Sequence, residues 1–341
     1  MSLYTSPTSN FQVVDRTNEL LLLPQNWTLM NDSGMWNEEF LTTKTVTFEE
    51  RNGSLSIVKD QIEGTRPQTT GNDLRKLHSY PMTHHPMLDA LLPQDIAQVL
   101  RPGALSPELD SKERALMWKM EKIRKSYDRT LNFARFRTLA NGDLWSPNGT
   151  VAGNLYTDFG VTRQSVNFDL ANASSDIIAK CEQVISNFQS QATEGQEIQR
   201  VVAYCSGGFF SALIAHPRVQ AAYNLYAVQA PQQISRDRAG NMGLYRRFVF
   251  SNIEFIEVTQ SIDGTPLVDT DKAVFVADDG DGAFMSYFGP AQRFGYVNTQ
   301  AERNYLWVYE DPRGTQVTLE SEMNMINIMR RPGFVSGGTK A

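Results

Sequence analysis

The spacing of apolar residues in the middle of the chain predicts a helix of unusual length. Between Ser106 and Thr138, apolar residues recur every three or four positions, which places them on one face of a helix. They are Leu116, Met120, Ile123, Tyr127, Leu131 and Ala134. Ser106 is a favourable N-cap and Pro107 suits the first helical turn. A continuous helix over 106–138 would be about 50 Å long.

A different periodicity covers the C-terminal region. Asn304–Tyr309 is apolar and aromatic, and the Asp311–Gly314 stretch that follows is typical of a turn. From Thr315 to Arg330, apolar residues then fall on one parity: Val317, Leu319, Met323, Met325 and Met329. This alternation predicts a strand of about 15 residues, much longer than the usual five or six.

The segment 45–60 has the pattern of a β-hairpin. Asn52-Gly53 separates two alternating runs, and this dipeptide favours the primed turn that joins such strands. A two-stranded hairpin is marginally stable alone, so we expect it to pack against another surface. Between residues 43 and 66 its charges balance: Lys44, Arg51, Lys59 and Arg66 against Glu49, Glu50, Asp60 and Glu63.

Residues 1–41 are polar and irregular, with tryptophans and a short leucine run placed along them. Such a segment cannot bury its apolar residues on itself, so we expect an extended arm that lies on something else. Further along, 173–192 is typical of a second amphipathic helix, and 247–258 and 272–277 are typical of strands.

Composition narrows the class of protein. The chain has 341 residues, 41% hydrophobic content and a net charge of -6, which is ordinary for a folded soluble protein. Cys181 and Cys205 cannot form a disulfide framework or a zinc set, so reduced thiols in a cytosolic environment are expected. The N-terminus lacks the features of a secretory signal, and no apolar run is long enough to cross a bilayer.

The long helix carries a local excess of positive charge. Nine basic residues lie between Lys112 and Arg137, against Glu113, Glu121 and Asp128. A solvated helix face is the usual meaning of such charges. The excess nevertheless leaves open a contact with nucleic acid or an acidic protein, for which Lys119, Lys122, Arg124, Lys125 and Arg129 are the candidates.

The sequence Cys205-Ser206-Gly207-Gly208 follows an apolar run and precedes a helical pattern, which is the layout of many active sites. A phosphatase loop would need an arginine where Ser211 stands, and a pyrophosphatase loop an aspartate where Phe210 stands. A hydrolase elbow would need a glycine at Tyr204. A cysteine or serine hydrolase remains an alternative, but Gly207 and Gly208 are better explained as a structural turn.

Two further groups were considered as metal sites. Asp278, Asp279 and Asp281 lie close together, but the spacing after Asp279 does not match an EF-hand loop. His78, His84 and His85 lack a nearby carboxylate or cysteine pattern. We therefore predict no metal and no cofactor.

The order of these features resembles the tailed-phage major capsid proteins of the lambda E type. The resemblance spans nearly the whole chain and is carried by Phe209–Tyr223 (FFSALIAHPRVQAAY), Tyr287–Thr299 (YFGPAQRFGYVNT) and Asn327–Phe334 (NIMRRPGF). It implies the α+β Hong Kong 97-type capsid fold. The implied parts are an N-terminal arm (1–41), an extended loop (42–86), a peripheral domain (87–165) with a spine helix at about 107–138, an axial domain (166–298), and a return to the peripheral domain (299–341).

The resemblance also implies a function without catalysis. The chain would assemble into hexamers and pentamers of an icosahedral head, around a scaffold protein, in the host cytoplasm. The shell would carry a portal, would often carry a decoration protein, and would enclose DNA contacted without sequence specificity. In this setting Lys44, Glu49, Glu50, Arg51, Lys59, Asp60, Glu63 and Arg66 would lie in the extended loop, and the basic helix would face the interior. A DNA-binding protein that uses residues 112–137 is a second alternative, beside the hydrolase.

Overall fold

The computed structural model describes residues 13–23, 28–52, 74–96, 112–145, 151–192, 198–227, 236–237, 245–262, 264–280 and 282–341. Seven α-helices lie in these ranges: α1 (Thr17–Leu22), α2 (Pro93–Ile96), α3 (Lys112–Asn141), α4 (Leu155–Asp158), α5 (Ile177–Gln191), α6 (Gly207–Ala215) and α7 (Pro217–Ala227). Short 3₁₀ turns cover Phe294–Tyr296 and Pro332–Phe334.

The strands belong to two large sheets and three small two-stranded ones. In chain order they are β1 (Val13–Asp15), β2 (Asn37–Phe40), β3 (Thr45–Asn52), β4 (Leu74–Pro81), β5 (Thr83–Leu91), β6 (Asp143–Trp145), β7 (Val151–Asn154), β8 (Ser165–Asn167), β9 (Arg200–Cys205), β10 (Arg236–Asp237), β11 (Tyr245–Phe250), β12 (Ile253–Glu257), β13 (Ser261–Ile262), β14 (Thr265–Pro266), β15 (Lys272–Asp278), β16 (Phe284–Phe288), β17 (Tyr305–Glu310), β18 (Val317–Met329) and β19 (Val335–Thr339).

The first large sheet is built around β18, which has 13 residues and confirms the long strand expected from the alternation. Strand β5 pairs with one edge of β18. Along the other edge β17 pairs with residues 317–322 and β16 with residues 325–329, so these two strands lie end to end. Helix α3 packs its apolar stripe on Leu319, Met323 and Met325 of this sheet.

Helix α3 has 30 described residues and is therefore about 45 Å long. The predicted apolar stripe is correct, because all six of its residues are buried. The helix ends at Asn141, three residues beyond the expected end, and Gly142 follows with φ of +74°. The expected start at Ser106 lies outside the described residues.

The described part of the N-terminal segment packs on distant parts of its own chain, as expected of a segment that cannot bury its apolar residues on itself. Strand β1 pairs with β17, and β2 pairs with β16, so the segment completes the first sheet. Leu20, Met30 and Trp36 are buried in the cores of their own chain. The partner of β1 is almost 300 residues away in sequence and that of β2 is about 250 away, which is why local pattern could not reveal them.

The expected short hairpin at Asn52-Gly53 is replaced by a longer one. Strand β3 pairs over its whole length with β4, from Thr45 opposite Pro81 to Asn52 opposite Leu74. Residues 53–73, which include the expected second strand, lie outside the described residues. The turn signal was local, whereas the partner of β3 is separated from it by more than 20 residues.

The second large sheet has the order β10-β11-β12-β9-β15-β19-β8. Helices α5 and α6 bury Cys181, Phe188 and Phe209 in its core. The stretch 247–258 is two antiparallel strands joined at Ser251 and Asn252, whose positive φ values fit a tight turn. Helix α5 and strand β15 confirm the elements expected at 173–192 and 272–277. Among the described helices, none is long and apolar enough to cross a membrane.

Candidate assembly surfaces

The Cys205–Gly208 turn is a buried corner of the second sheet. Strand β9 ends at Cys205, and Ser206 caps α6 by accepting a hydrogen bond from the Phe209 amide at 3.4 Å. Cys205 is fully buried, and this burial raises the pKa of its thiol well above the usual value. The ring of His216 bonds the Asn172 carbonyl at 3.0 Å. Nucleophilic catalysis needs an accessible thiolate beside a base, and this corner offers neither.

The two glycines of this turn have a different role from the one expected. Neither Gly207 nor Gly208 is among the described glycines with positive φ. A Cβ at Gly208 would lie 2.3 Å from the Asp271 carboxylate, and one at Gly207 would meet only ordinary contacts. Gly208 therefore leaves room for the Asp271 side chain, which a larger residue would push aside. Neither glycine is needed for a left-handed backbone conformation.

Most of the side chains that could have held a metal ion instead bond other residues of the chain. Asp278 pairs with Arg200 at 2.8 Å, and Asp279 pairs with Arg331 at 2.9 Å. Asp281 lies outside the described residues. The ring of His84 bonds the Asn324 side chain at 2.7 Å. Among the described residues, no group of three acidic, histidine or cysteine side chains could hold a metal ion.

His85 makes the first sheet sensitive to acid. It lies on β5 with its Nε2 atom 2.9 Å from the Thr83 hydroxyl, and its pKa is lowered to about 4 by burial and by neighbouring His84. Between pH 6.5 and 4 the unfolded chain binds a proton that the folded chain does not. Folding stability is thus full above pH 6.5 and falls as the pH approaches 4.

We expect the free subunit to lose up to about 3 kcal/mol of unfolding free energy from this residue between pH 6.5 and 4. Urea denaturation across this range measures the loss. His85→Gln should flatten most of that pH dependence, whereas His84→Gln should retain most of it, because burial is the larger cause. An unchanged pH profile in His85→Gln would contradict the assignment.

The exposed face of α3 is basic, but it carries fewer of the candidate basic residues than the sequence suggested. Lys122, Lys125 and Arg129 are exposed and follow one another at helical spacing, so they form one stripe. Lys119 instead bonds Asp89 at 3.1 Å and the Ala90 carbonyl at 2.6 Å. Three of the five candidate residues therefore stay exposed, although Lys125 also pairs with Glu121 at 3.6 Å.

Arg124 was expected on the exposed face, but it is buried. Its guanidinium donates to the Leu20 carbonyl at 2.8 Å and lies 3.8 Å from Asp128. The expectation failed because charge along a helix does not distinguish a solvated arginine from one that bonds another segment. The Arg124–Asp128 spacing of four, next to the apolar stripe, was the available signal.

A second buried arginine links α3 to the N-terminal segment. Arg135 is fully buried and donates to Glu38 at 2.9 Å, to Asn31 at 3.1 Å and to Ser286 at 3.0 Å. Burial lowers its pKa to about 10, so it is charged at neutral pH. Arg303 extends the network, 3.6 Å from Glu38 and 3.6 Å from Asp128. This network joins three distant segments of the chain.

The β3–β4 hairpin is attached to the body at its base. Val46 and Tyr80 are buried in the core, and the Tyr80 hydroxyl donates to Asp158 at 2.8 Å. The ring of His78 stacks on Phe159 with 4.9 Å between centroids. Lys44 is half-buried at the base. Glu49, Glu50 and Arg51 lie on β3, and Lys59, Asp60, Glu63 and Arg66 lie outside the described residues.

Sequence reasoning missed the segment that joins β16 to β17. Residues 289–304 leave the edge of β18 between two strands that otherwise run end to end. Its 3₁₀ turn presents Phe294, which is fully exposed. The available signal was an aromatic residue, Phe294, placed between Arg293 and Gly295.

The chain is similar to known proteins over nearly its whole length. The chain matches the family described as Phage major capsid protein E over residues 17–339. It is 34% identical to the major capsid protein of Pseudomonas phage KPP10, with 98% of each chain covered. It is 24% identical to the major capsid protein of Salmonella phage Felix O1, covering 97% of this chain and 96% of the relative.

Solved structures share the fold at low identity. The putative capsid protein of a prophage of E. coli CFT073 superposes with a TM-score of 0.59 and 10% identity, covering 97% of this chain and 100% of that chain. The mature capsid of bacteriophage PhiM1 gives a TM-score of 0.54 at 12% identity, covering 89% of this chain and 84% of that one. The shared fold has the mixed α+β architecture described above.

Proposed function

The chain belongs to the phage major capsid protein E family, and from that premise we propose that it assembles into hexamers and pentamers of an icosahedral head that encloses double-stranded DNA. It is a phage major capsid protein with the Hong Kong 97-type α+β fold, and it forms the virion capsid. The match over nearly the whole chain is the observation that carries this function.

The geometry favours a building block over a hydrolase. The Cys205 thiol is buried with a raised pKa, and the buried Ser206 hydroxyl caps α6, so the structure disfavours the cysteine or serine hydrolase alternative. The β3–β4 hairpin extends from a small buried base, and we propose that its outer part packs on a neighbouring subunit. Its balanced charges suit complementary pairs across that contact, which set register more than affinity.

Purified protein tests the assembly directly. Shells sediment far above the 38.4 kDa of the single chain, and negative-stain images show whether they are closed. A scaffold protein, a portal and a decoration protein are further proposed partners, each of which can be tested by its effect on the yield and completeness of these shells. Protein that stays monomeric with and without a scaffold protein would contradict the proposal.

We propose that the basic stripe of α3 contacts an acidic scaffold during assembly or DNA phosphates afterwards. Such contacts carry no base information and weaken with salt through counterion release. They involve Lys122, Lys125 and Arg129, which are exposed on one face of the helix. The alternative of a dedicated DNA-binding protein is not favoured, because three exposed cations make only a small electrostatic footprint.

Reversing two charges of this stripe should reduce correct assembly while the subunit stays folded. Lys122→Glu with Lys125→Glu removes no buried contact, so thermal unfolding should stay within a few degrees of the wild type. We expect misassembled or DNA-poor particles, measured by electron microscopy and by the absorbance ratio of purified heads. The matched Lys122→Arg, Lys125→Arg variant should behave as wild type. Full heads at normal yield from the glutamate variant would show that the stripe is only solvated.

A further inference from the structure

Residues 289–304 form a projection from the first sheet. Strand β16 ends with Phe288 opposite Met325, and β17 begins with Tyr305 opposite Glu322. The edge formed by β16 and β17 is thus nearly continuous, and residues 289–304 leave it after Phe288 and rejoin it at Tyr305. The segment is tied down where it leaves, because the Gly289 amide donates to the Asn324 carbonyl at 3.0 Å and the Gln292 amide to Glu322 at 2.6 Å.

The tip of this projection is held in one conformation by aromatic stacking. The Arg293 guanidinium lies 3.8 Å from the centroid of the Trp307 ring and donates to Glu320 at 2.5 Å. The Tyr296 ring packs edge-on against Trp307 at 5.8 Å, and its hydroxyl bonds Asp15. Residues on both sides of Phe294 are therefore fixed to the sheet.

Among the described residues, none supports the Phe294 ring in this way, and the ring is fully exposed. Its relative exposure is 102%, and that of nearby Val297 is 62%. Leu88, with 72% relative exposure, lies on the same face of the sheet as Trp307. Both residues are directly opposite Glu320 of β18, Leu88 on β5 and Trp307 on β17. Leu88 thus lies beside the Glu320 that Arg293 bonds, and Phe294 and Val297 follow Arg293 within four residues of the chain.

This arrangement has the properties of a binding surface. Apolar anchors around an arginine and aromatic side chains are the composition of interface hot spots. Because Arg293 and Tyr296 already fix the tip, docking would order little further backbone, which favours affinity. We call Leu88, Arg293, Phe294 and Val297 the anchor patch.

We propose that the anchor patch docks on a second copy of this chain, with Phe294 as the buried anchor. This inference rests on the assembly of the chain into a shell, where copies surround each subunit. Copies of a chain with net charge -6 repel one another, so their contacts favour surfaces without net charge. The anchor patch meets this condition, since its one charge, Arg293, is paired with Glu320. That neutrality also argues against a nucleic-acid partner.

Two variants test whether Phe294 supports assembly. Phe294→Ser should unfold like the wild type, because the side chain is fully exposed, but should lower the yield of closed shells at least tenfold. Ile178→Ser is the matched control, an exposed apolar residue on α5 outside the anchor patch. Wild-type yield from Phe294→Ser would overturn the inference alone, whereas failure of the wild type to assemble would overturn the proposed function.

Labelling identifies what covers the patch. Cys181 and Cys205 are buried, so Phe294→Cys introduces one accessible thiol among the described residues. We expect maleimide to label it at least tenfold more slowly in shells of this chain alone than in free subunits. Equal labelling in both states would overturn the inference. Protection that appears only when a different virion protein is added would also overturn it, because the occupant would then be that protein.

Discussion

Shortening the β3–β4 hairpin to its base is expected to leave a folded subunit that forms no closed shells. The variant replaces residues 49–77 with Asn-Gly, so that Phe48 and His78 remain paired across a two-residue turn. The contacts of the hairpin base that hold it to the body are kept, including Val46 and Tyr80 in the core. The Met82 amide still donates to the Lys44 carbonyl at 2.9 Å and closes the base.

The removed part is the part that we propose to pack on a neighbour. Circular dichroism and thermal unfolding should show a native subunit, with a loss of about 1 kcal/mol or less from the exposed Lys76 contact. Sedimentation should show only monomers or small oligomers. Closed shells at normal yield would refute the assignment of this hairpin to assembly.

A full-length control separates the hairpin from its charges. Changing Lys44, Arg51, Lys59 and Arg66 to glutamine keeps the full length and removes four cations, while Arg75 and Lys76 of β4 remain. Because complementary charges act mainly on encounter rate and register, this variant should assemble more slowly and still close. A complete loss of shells would show instead that the cations themselves hold the contact.

Removing the Arg135 side chain is expected to cost about 2–3 kcal/mol of folding stability, because Glu38, Asn31 and Ser286 lose a donor and, among the described residues, only Arg303 remains near Glu38. Most domains have only about 5–15 kcal/mol in total. Arg135→Met fills similar space without the charge, so urea denaturation measures the lost ion pair rather than a cavity. Arg129→Met, on the exposed face of the same helix, should change stability by less than about 0.5 kcal/mol.

A double-mutant cycle tests the cause. If the loss comes from leaving Glu38 without Arg135, then Glu38→Gln combined with Arg135→Met should cost less than the two single changes added together. Additive losses would show that Arg135 acts mainly through Ser286 and Asn31. A loss below 1 kcal/mol in Arg135→Met would contradict a structural role for the network.

The regular elements of the fold could be predicted because their patterns are local. The apolar stripe of α3, the alternation of β18 and the turn that enters α6 each follow from a pattern within one continuous stretch of chain. Where partners are distant, the same reasoning failed. Asn52-Gly53 indicated a turn, but nothing in the sequence indicated that β3 pairs with Leu74–Pro81. The pairing of β1 with β17 was equally hidden.

The candidate surfaces were predicted less well than the fold. Charge alone grouped Arg124 with Lys122 and Lys125, although Arg124 is buried and bonds the Leu20 carbonyl. An arginine has the same formal charge in both settings, so only the tertiary position of its partner distinguishes them. Phe294 was missed because a large apolar side chain is usually buried, and the sequence does not show that this one is exposed.

The pairing of β1 with β17 has a consequence for synthesis of the protein. Val13 pairs with Tyr309, so the first strand to leave the ribosome must wait for one of the last. At about 5–20 residues per second, that wait is about 15–60 s. During it β1 has no strand to pair with, although Leu20 and Met30 can already contact α3. A prematurely terminated chain that lacks β17 can never complete the first sheet, so the topology itself keeps truncated products from entering the shell.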